Sequence, residues 1–284
     1  MTKKIIVTGC NGQLGHAVND FYAGSSEYEC VNTDVGELDI TDVDAVLRFT
    51  REVKPYAIIN CAAYTNVNMC ETETDLAFKI NAIGPRNLAI AATDAGAKLV
   101  QISTDYVFPG DEDKELTEFD HVGPVSAYGR GKLAGEEFVK AFAQKYYIIR
   151  TAWLYGEGKN FVRTMMNAAQ NNPSVRVVDD QFGSPTSAVE LAKCIGHLLP
   201  TDNYGLFHGT CEGYCSWADF TEEFYKLAGI TTPVQRITTD EFPTPAKRPA
   251  FSKLDNYMLR LTTDFRFADW HDAIAVYMKH ECGK

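Results

Sequence analysis

A glycine-rich turn near the amino terminus restricts the fold of this chain more than any other feature. Residues Lys4–Thr8 form a short apolar run, and Gly9, Gly12 and Gly15 follow it where a helix to about Tyr22 would begin. Glycines there let a backbone approach a phosphate closely, and the start of a helix offers free N–H groups. Strand, glycine turn and helix together predict a dinucleotide-binding βαβ unit. A glycine-rich turn without a ligand is the alternative.

Strand and helix patterns alternate through the first half of the chain. Apolar runs recur at Tyr28–Thr33, Ala57–Cys61, Lys98–Ser103 and Tyr146–Arg150, with helical stretches between them. Near-continuous apolar strands separated by helices are typical of a parallel sheet that is covered on both faces. We therefore predict a Rossmann-like, doubly wound α/β fold.

The second half has a mixed pattern that indicates a smaller, interleaved domain. Val175–Val178 is a candidate for a sixth strand, and residues 243–249 are irregular. We expect residues 1–152, with part of 174–203, to form the dinucleotide-binding domain. Residues 153–173 and 204–284 would mainly form a substrate-binding domain.

Composition excludes several classes of function. The 284 residues carry a formal net charge of −11, which argues against nucleic acid as a partner. No apolar run approaches the roughly 20 residues of a membrane span, and no signal-peptide pattern precedes the first strand. The eight cysteines and six histidines lack the spacing of a metal site. We expect a cytoplasmic protein without a metal and without a membrane partner.

Tyr128 and Lys132 form the motif with the clearest chemistry. Four residues apart on a predicted helix, they lie on the same face. A lysine ammonium there would lower the pKa of the phenol from its usual value of about 10. Such a phenol can exchange a proton with a substrate oxygen, and the lysine can reach the hydroxyls of a ribose. An isolated match usually means an ordinary buried tyrosine, but the glycine turn favours the catalytic interpretation.

Two glycines lie in the first turns of the same predicted helix. Gly129 and Gly131 flank Arg130, and each costs the helix about 1 kcal/mol relative to alanine. Their presence predicts a neighbour, either cofactor or strand, that packs closely against this end of the helix.

Polar residues follow three of the predicted strands. Asp34 comes nineteen residues after Gly15, where a carboxylate accepts hydrogen bonds from an adenosine ribose and repels a 2′-phosphate. This predicts NADH as the preferred cofactor, with NADPH as the second choice; Asp34 as a turn cap is the alternative. Ala62–Thr65 and Ser103–Tyr106 follow the next two strands. We expect Thr104 to hydrogen-bond a substrate carbonyl beside Tyr128.

Together these motifs resemble an extended short-chain dehydrogenase/reductase, and more narrowly the dTDP-4-dehydrorhamnose reductase family. The segments that carry the narrower resemblance are Gly12–Gly15, Glu37–Thr41, Asn60–Thr65, Tyr128–Glu136, Arg150–Gly156, Asp180–Thr186, and Arg248-Pro249 with Ser252 and Leu254. Gly131 and Cys61 depart from the usual pattern. The resemblance implies NAD(P)H-dependent reduction of the 4-keto group of dTDP-4-dehydro-L-rhamnose to give dTDP-L-rhamnose.

The resemblance also implies roles for individual residues. Tyr128 would be the proton donor, Lys132 would tune it and hold the nicotinamide ribose, and Thr104 would position the sugar carbonyl. The implied cofactor-binding positions are Gly9, Asn11, Gly12, Gln13, Leu14, Gly15, Asp34, Asp39, Ile40, Ala62, Ala63 and Thr65. The implied substrate-binding positions are Thr104, Asp105, Trp153 and Arg248, whose guanidinium suits the diphosphate.

Other functions of the same fold stay open. The chain could act on another nucleotide-linked keto sugar as a reductase or epimerase, or it could be a non-catalytic regulatory subunit. An epimerase consumes no net NADH, so a stoichiometric loss of NADH would separate the enzymes. The expected partner is a nucleotide-diphosphate sugar, and the expected assembly is a monomer or homodimer.

Overall fold

The computed structural model describes residues 2–282 and is built around a six-stranded parallel sheet. The strands in chain order are β1 Lys3–Thr8, β2 Tyr28–Thr33, β3 Ala57–Asn60, β4 Lys98–Thr104, β5 Glu115–Leu116, β6 Tyr146–Thr151, β7 Leu154–Tyr155, β8 Val175–Val178, β9 Phe182–Gly183, β10 Thr186–Ser187, β11 Gly205–His208, β12 Cys215–Ser216, β13 Val234–Ile237 and β14 Phe251–Leu254. Across the large sheet the order is β11-β6-β4-β3-β1-β2. This order confirms the predicted Rossmann-like α/β class.

Eleven α-helices lie among the described residues, and those packed against this sheet cover both of its faces. They are α1 Gln13–Tyr22, α2 Val43–Val53, α3 Val67–Cys70, α4 Thr74–Phe78, α5 Gly84–Ala95, α6 Ala127–Phe142, α7 Phe161–Asn171, α8 Ala188–Leu198, α9 Trp217–Ala228, α10 Tyr257–Thr262 and α11 Trp270–Cys282. A π-helical turn, Lys79–Ile83, joins α4 to α5. No helix among residues 2–282 combines the length and apolarity that crossing a membrane requires.

Successive residues of each central strand enter different hydrophobic cores. Ile5 and Ile59 pack with α1 and α8 on one face, whereas Ile6 and Ile58 pack with α2 and α5 on the other. All four side chains are at most 1% exposed. Burial on both faces explains why these strands have continuous apolar sequences without the alternation of a half-exposed sheet.

The sixth strand of the large sheet is not the one that the sequence indicated. Val175–Val178 is a strand, but it pairs in parallel with β13 in a separate two-stranded sheet. The sixth position is taken by β11, which pairs in parallel with β6. The prediction was wrong because the two stretches are equally short, and strand length alone does not reveal the partner.

A small sheet brings the carboxyl-terminal part of the chain to the end of β4. In it, β14 pairs in parallel with both β5 and β9. The irregular residues 243–249 lead directly into β14 and therefore lie over the same edge of the large sheet. Residues far apart in sequence, such as Tyr106 and Arg248, meet there.

Candidate active site

The glycine turn is packed too tightly for other residues. Gly9 has φ +63°, and a β-carbon on it would lie 2.7 Å from the Ala62 Cα. A β-carbon on Gly15 would lie 2.6 Å from the Cys10 Cα. Gly12 is the N-cap of α1 and has no side chain to cap it, so the first N–H groups of the helix are free for an anion. This cradle fits the pyrophosphate of a dinucleotide.

Asp34 lies beside this turn at the end of β2. Its Oδ2 accepts a hydrogen bond from the backbone N–H of Asn11 at 3.3 Å, and its Oδ1 accepts one from Val35 at 2.8 Å. The Glu37 carboxylate accepts from the backbone N–H of Asp34 at 2.9 Å. After burial, these two carboxylates are the groups that raise the pKa of the Cys10 thiol. The local field beside the glycine turn is therefore negative.

The other expected cofactor positions differ in how their side chains are placed. Leu14 and Ile40 are each 5% exposed and pack into the two cores, so only their backbones can face a cofactor. Asp39 is exposed, and its Oδ1 accepts from the Thr41 N–H at 2.8 Å. The Gln13 Oε1 is buried without a hydrogen-bond partner among the described residues, so it can serve a ligand. Ala62, Ala63 and Thr65 follow β3 beside the glycine turn.

Helix α6 begins against the end of β4. Ser126 caps it by accepting from the Gly129 N–H at 3.1 Å, and Glu71 accepts from the Ala127 N–H at 2.7 Å. A β-carbon on Gly129 would overlap the Tyr106 carbonyl oxygen, whereas one on Gly131 would lie 3.5 Å from the Asn81 Cβ. The expected close neighbour is thus present at Gly129 and is backbone from the loop after β4. At Gly131 the contact is of ordinary length.

The strand end next to this helix carries Thr104 and Asp105. The Thr104 hydroxyl donates to the Asp105 Oδ1 at 2.8 Å and accepts from the Tyr106 N–H at 3.2 Å. Asp105 is 2% exposed, and burial raises its pKa to about 6 against the opposing hydrogen bonds from Ser252 and Thr104. Thr104 is also close enough to Tyr128 to oppose the rise in the pKa of that phenol, so the two groups expected to hold a carbonyl oxygen lie near each other.

The electrostatics of Tyr128 and Lys132 differ from the expectation. Burial, and then the Asp105 carboxylate, raise the pKa of Tyr128 above its ordinary value. Lys132 donates to the Ile102 carbonyl at 2.7 Å, and burial lowers its pKa to about 8. The expected lowering of the phenol pKa by Lys132 is therefore wrong for the cofactor-free chain, because burial dominates both groups. Tyr128 is protonated at neutral pH, which is the form a proton donor needs.

Trp153 follows β6 at the same edge of the sheet. Its φ is +48°, which a bulky residue rarely adopts, and its indole stacks on Trp217 with ring centroids 3.5 Å apart. A β-carbon on Gly183 would lie 2.5 Å from the Trp153 Cε2. The indole is therefore held between α9 and β9. Trp217 is a residue that the sequence interpretation missed, since nothing local links it to Trp153.

Arg248 reaches the site through Tyr106. Its Nη1 donates to the Tyr106 hydroxyl at 3.1 Å, and the Tyr106 ring meets the Tyr128 ring edge to face at 5.4 Å. Tyr106 was also missed as a site residue, although it belongs to the quoted stretch after β4. The structure thus brings together Thr104, Asp105, Tyr128 and Arg248. Within residues 2–282, no group of three or more His, Cys, Asp or Glu side chains is arranged to hold a metal.

Comparisons with known proteins agree over nearly the whole chain. Residues 3–282 match the family model described as the RmlD substrate binding domain. A dTDP-4-dehydrorhamnose reductase from Aggregatibacter actinomycetemcomitans is 36% identical, covering 95% of this chain and 97% of its own.

Two solved dTDP-4-dehydrorhamnose reductases share the fold closely. The one from Clostridium acetobutylicum has a TM-score of 0.96 and 53% identity, and the match covers 98% of this chain and 99% of that one. The one from Bacillus anthracis, solved in complex with NADP, has a TM-score of 0.96 and 41% identity, covering 99% of this chain and 100% of that one.

Proposed function

The chain belongs to the dTDP-4-dehydrorhamnose reductase family, and we propose that it reduces the C4 keto group of dTDP-4-dehydro-L-rhamnose to give dTDP-L-rhamnose. The observation that carries this proposal is the position of Tyr128. It lies on α6, and its phenol is near Thr104 at the carboxyl end of β4. Ligands of doubly wound sheets bind at this end of the strands.

Each residue of the site has a distinct task in this reaction. When bound, the reduced nicotinamide supplies the hydride that is added to the sugar C4. Tyr128 gives its hydroxyl proton to the oxygen that becomes the new C4 alcohol, and Thr104 holds that oxygen in place. Lys132, with its pKa at about 8, is mainly cationic at neutral pH and can hold the hydroxyls of the nicotinamide ribose.

The direct test is an NADH-oxidation assay over a panel of nucleotide-linked 4-keto sugars. We expect a stoichiometric loss of NADH absorbance with dTDP-4-dehydro-L-rhamnose. Turnover only with a different keto sugar would reassign the substrate. Sugar conversion without net NADH loss would indicate an epimerase, and no conversion of any sugar would favour a regulatory subunit.

Cofactor preference provides a separate prediction. We propose that the protein prefers NADH, because the carboxylates of Asp34 and Glu37 lie beside the glycine turn and would repel a 2′-phosphate bound there. Asp34→Ala should raise the ratio of kcat/KM for NADPH to that for NADH about tenfold, which corresponds to about 1.4 kcal/mol. Asp44→Ala is the control, because it removes an exposed carboxylate from the first turn of α2. A wild-type preference for NADPH that Asp34→Ala leaves unchanged would contradict the proposal.

Arg248 is proposed to bind the diphosphate of the sugar nucleotide. Removing a charge-assisted contact costs about 1.5–3 kcal/mol, so Arg248→Ala should raise KM for the sugar nucleotide roughly 10-fold to 100-fold. The expected kcat stays within a few-fold, because the guanidinium does not touch C4. Lys247→Ala, an exposed neighbour, is the matched control. Equal KM values for the two variants would place the diphosphate elsewhere.

We also propose how the chain is divided and assembled. Residues 1–152, with part of 174–203, bind the cofactor, and residues 153–173 and 204–284 mainly bind the sugar nucleotide. The packing of α8 against α1 supports the assignment of part of 174–203 to the cofactor-binding domain. Strand β11 belongs to residues 204–284, yet it pairs with β6 in the large sheet.

All eight cysteines are free thiols, which suits a cytoplasmic location. Light scattering should report a monomer or homodimer.

A further inference from the structure

A buried ion pair lies directly beneath the helix that carries Tyr128 and Lys132. Glu136 is one turn past Lys132 on α6 and is 0% exposed. Its Oε1 accepts from the Arg150 Nε at 2.9 Å, and its Oε2 accepts from the Arg150 Nη2 at 2.7 Å. The Ser103 hydroxyl donates to the Oε1 at 2.5 Å. One carboxylate therefore ties α6 to the last residues of β4 and β6.

This arrangement is a costly way to stabilise a fold. Arg150 is 2% exposed, and its Nη1 has no hydrogen-bond partner among the described residues. The guanidinium instead lies over the Phe108 ring, 5.0 Å from its centroid. Apolar residues of similar volume often stabilise a protein as much as a buried ion pair does. Unlike apolar residues, the pair fixes the position of the Glu136 carboxylate and places a negatively charged group inside the protein.

That charge acts on Lys132. The lysine is 4% exposed; burial lowers its pKa to about 8, while Glu136 and then the Cys61 thiol oppose the lowering. Glu136 therefore comes first among the groups that favour the ammonium. The cations that face Glu136 are Arg150 at 2.7 Å and Lys140, whose Nζ is 3.9 Å from the Oε2.

The other titratable groups of the site are separate from this contact. His208 lies on β11, next to β6, and burial followed by the Arg150 charge lowers its pKa to about 3, so it is neutral at the pH values of interest. Asp105 acts on Tyr128 and titrates at about 6, on the acid side. The pKa values of Cys10, Cys61 and Tyr128 are raised above their ordinary values, so Lys132 is the group of the site whose pKa lies near 8.

We propose that Glu136 is a positioning residue of the reductase. Fixed by Arg150 and Ser103, its carboxylate sets the place of α6 against the ends of β4 and β6 and keeps Lys132 cationic where the ribose binds. This inference rests on the proposed function, in which Lys132 holds the cofactor. Glu136 itself touches neither substrate nor cofactor in this role.

Three variants test the proposal. Glu136→Gln removes the charge but leaves Arg150 buried and unpaired, so its midpoint of thermal unfolding is expected to fall strongly. The double variant Glu136→Gln with Arg150→Met removes both charges, retains an acceptor for Ser103 and keeps an apolar side chain against Phe108. Glu137→Gln is the matched control, since that side chain is 63% exposed on the same helix.

The main readout is the pH dependence of NADH affinity, measured by quenching of protein fluorescence without any sugar. In the wild type, affinity should fall as pH rises through about 8, where Lys132 loses its proton, and Lys132→Met should abolish this fall. In the double variant the fall should occur at lower pH, because Glu136, the first group that favours the ammonium, has lost its charge. A displacement of about one unit would correspond to roughly fivefold weaker binding at about pH 8. In the sugar assay, kcat should decrease while KM for the sugar nucleotide stays near its wild-type value.

The outcomes separate this inference from the proposed function. A folded double variant with the wild-type pH dependence and kcat would overturn the role of Glu136 as a positioning residue. The ion pair would then contribute only to packing. A wild type that binds NADH with the expected pH dependence, yet reduces no sugar, would contradict the proposed function alone. Thermal denaturation of each variant shows whether it is folded.

Discussion

Replacement of Tyr128 by phenylalanine is expected to lower kcat about a thousandfold, because general acid catalysis typically contributes factors of this size. The change removes the proposed proton donor to the C4 oxygen and leaves the ring that packs edge to face on Tyr106. NADH affinity should therefore change less than a few-fold. Steady-state rates and an NADH titration on the same preparation check both parts.

Tyr257→Phe is the control for this substitution, since Tyr257 lies on the surface at the start of α10. It should retain full activity. Retention of wild-type kcat by Tyr128→Phe would mean that another group protonates the oxygen. A large loss of NADH affinity would instead mean that the phenol chiefly serves to bind the cofactor.

Gly129 and Gly131 are expected to respond in opposite ways to the same substitution. A β-carbon on Gly129 would overlap the Tyr106 carbonyl oxygen and lie 2.9 Å from the Pro124 Cβ. Neither contact is with a flexible side chain, so α6 must shift. We expect Gly129→Ala to lose about 3 kcal/mol of unfolding free energy, near the upper end for overpacking. Activity should also fall, because the shift moves Tyr128.

Gly131→Ala provides the internal comparison. Its β-carbon would meet the Asn81 Cβ at 3.5 Å, an ordinary contact, and alanine favours a helix by about 1 kcal/mol over glycine. This variant should be as stable as the wild type or more so, with unchanged kcat. Denaturant unfolding of both variants gives the two free energies. Equal destabilisation would show that helix propensity or a bound cofactor, and not the Tyr106 backbone, requires glycine in this region.

The parts of the fold that could be predicted are those with local causes. The glycine turn, the strands at Tyr28–Thr33 and Lys98–Ser103, and the α6 helix follow from apolar runs, turn residues and periodicity within a few residues of each other. The grouping of Thr104 with Tyr128 also followed from sequence, because parallel strands end at one edge of the sheet. Connection rules of this kind need no knowledge of distant contacts.

The parts that could not be predicted depend on contacts between distant segments. Arg248 reaches Tyr106 only because β14 joins β5. The stacking of Trp153 on Trp217 depends on the placement of α9. The pKa of Tyr128 is set by burial, and the spacing to Lys132 contains no information about how much water remains.

The large sheet is completed by β11, which the chain supplies only after it has left the sheet at Thr151 and formed α7 and α8. Until β11 has been synthesised, β6 is therefore an edge strand, and the backbone groups on one of its sides have no partner strand. Its central residues Tyr147, Ile148 and Ile149 are apolar and 0% exposed in the finished protein. Unpaired apolar edges are where chains pair wrongly with one another. A fragment that ends near residue 152 would therefore retain the glycine turn but would be prone to aggregate, and productive folding must wait until residue 208 has been made.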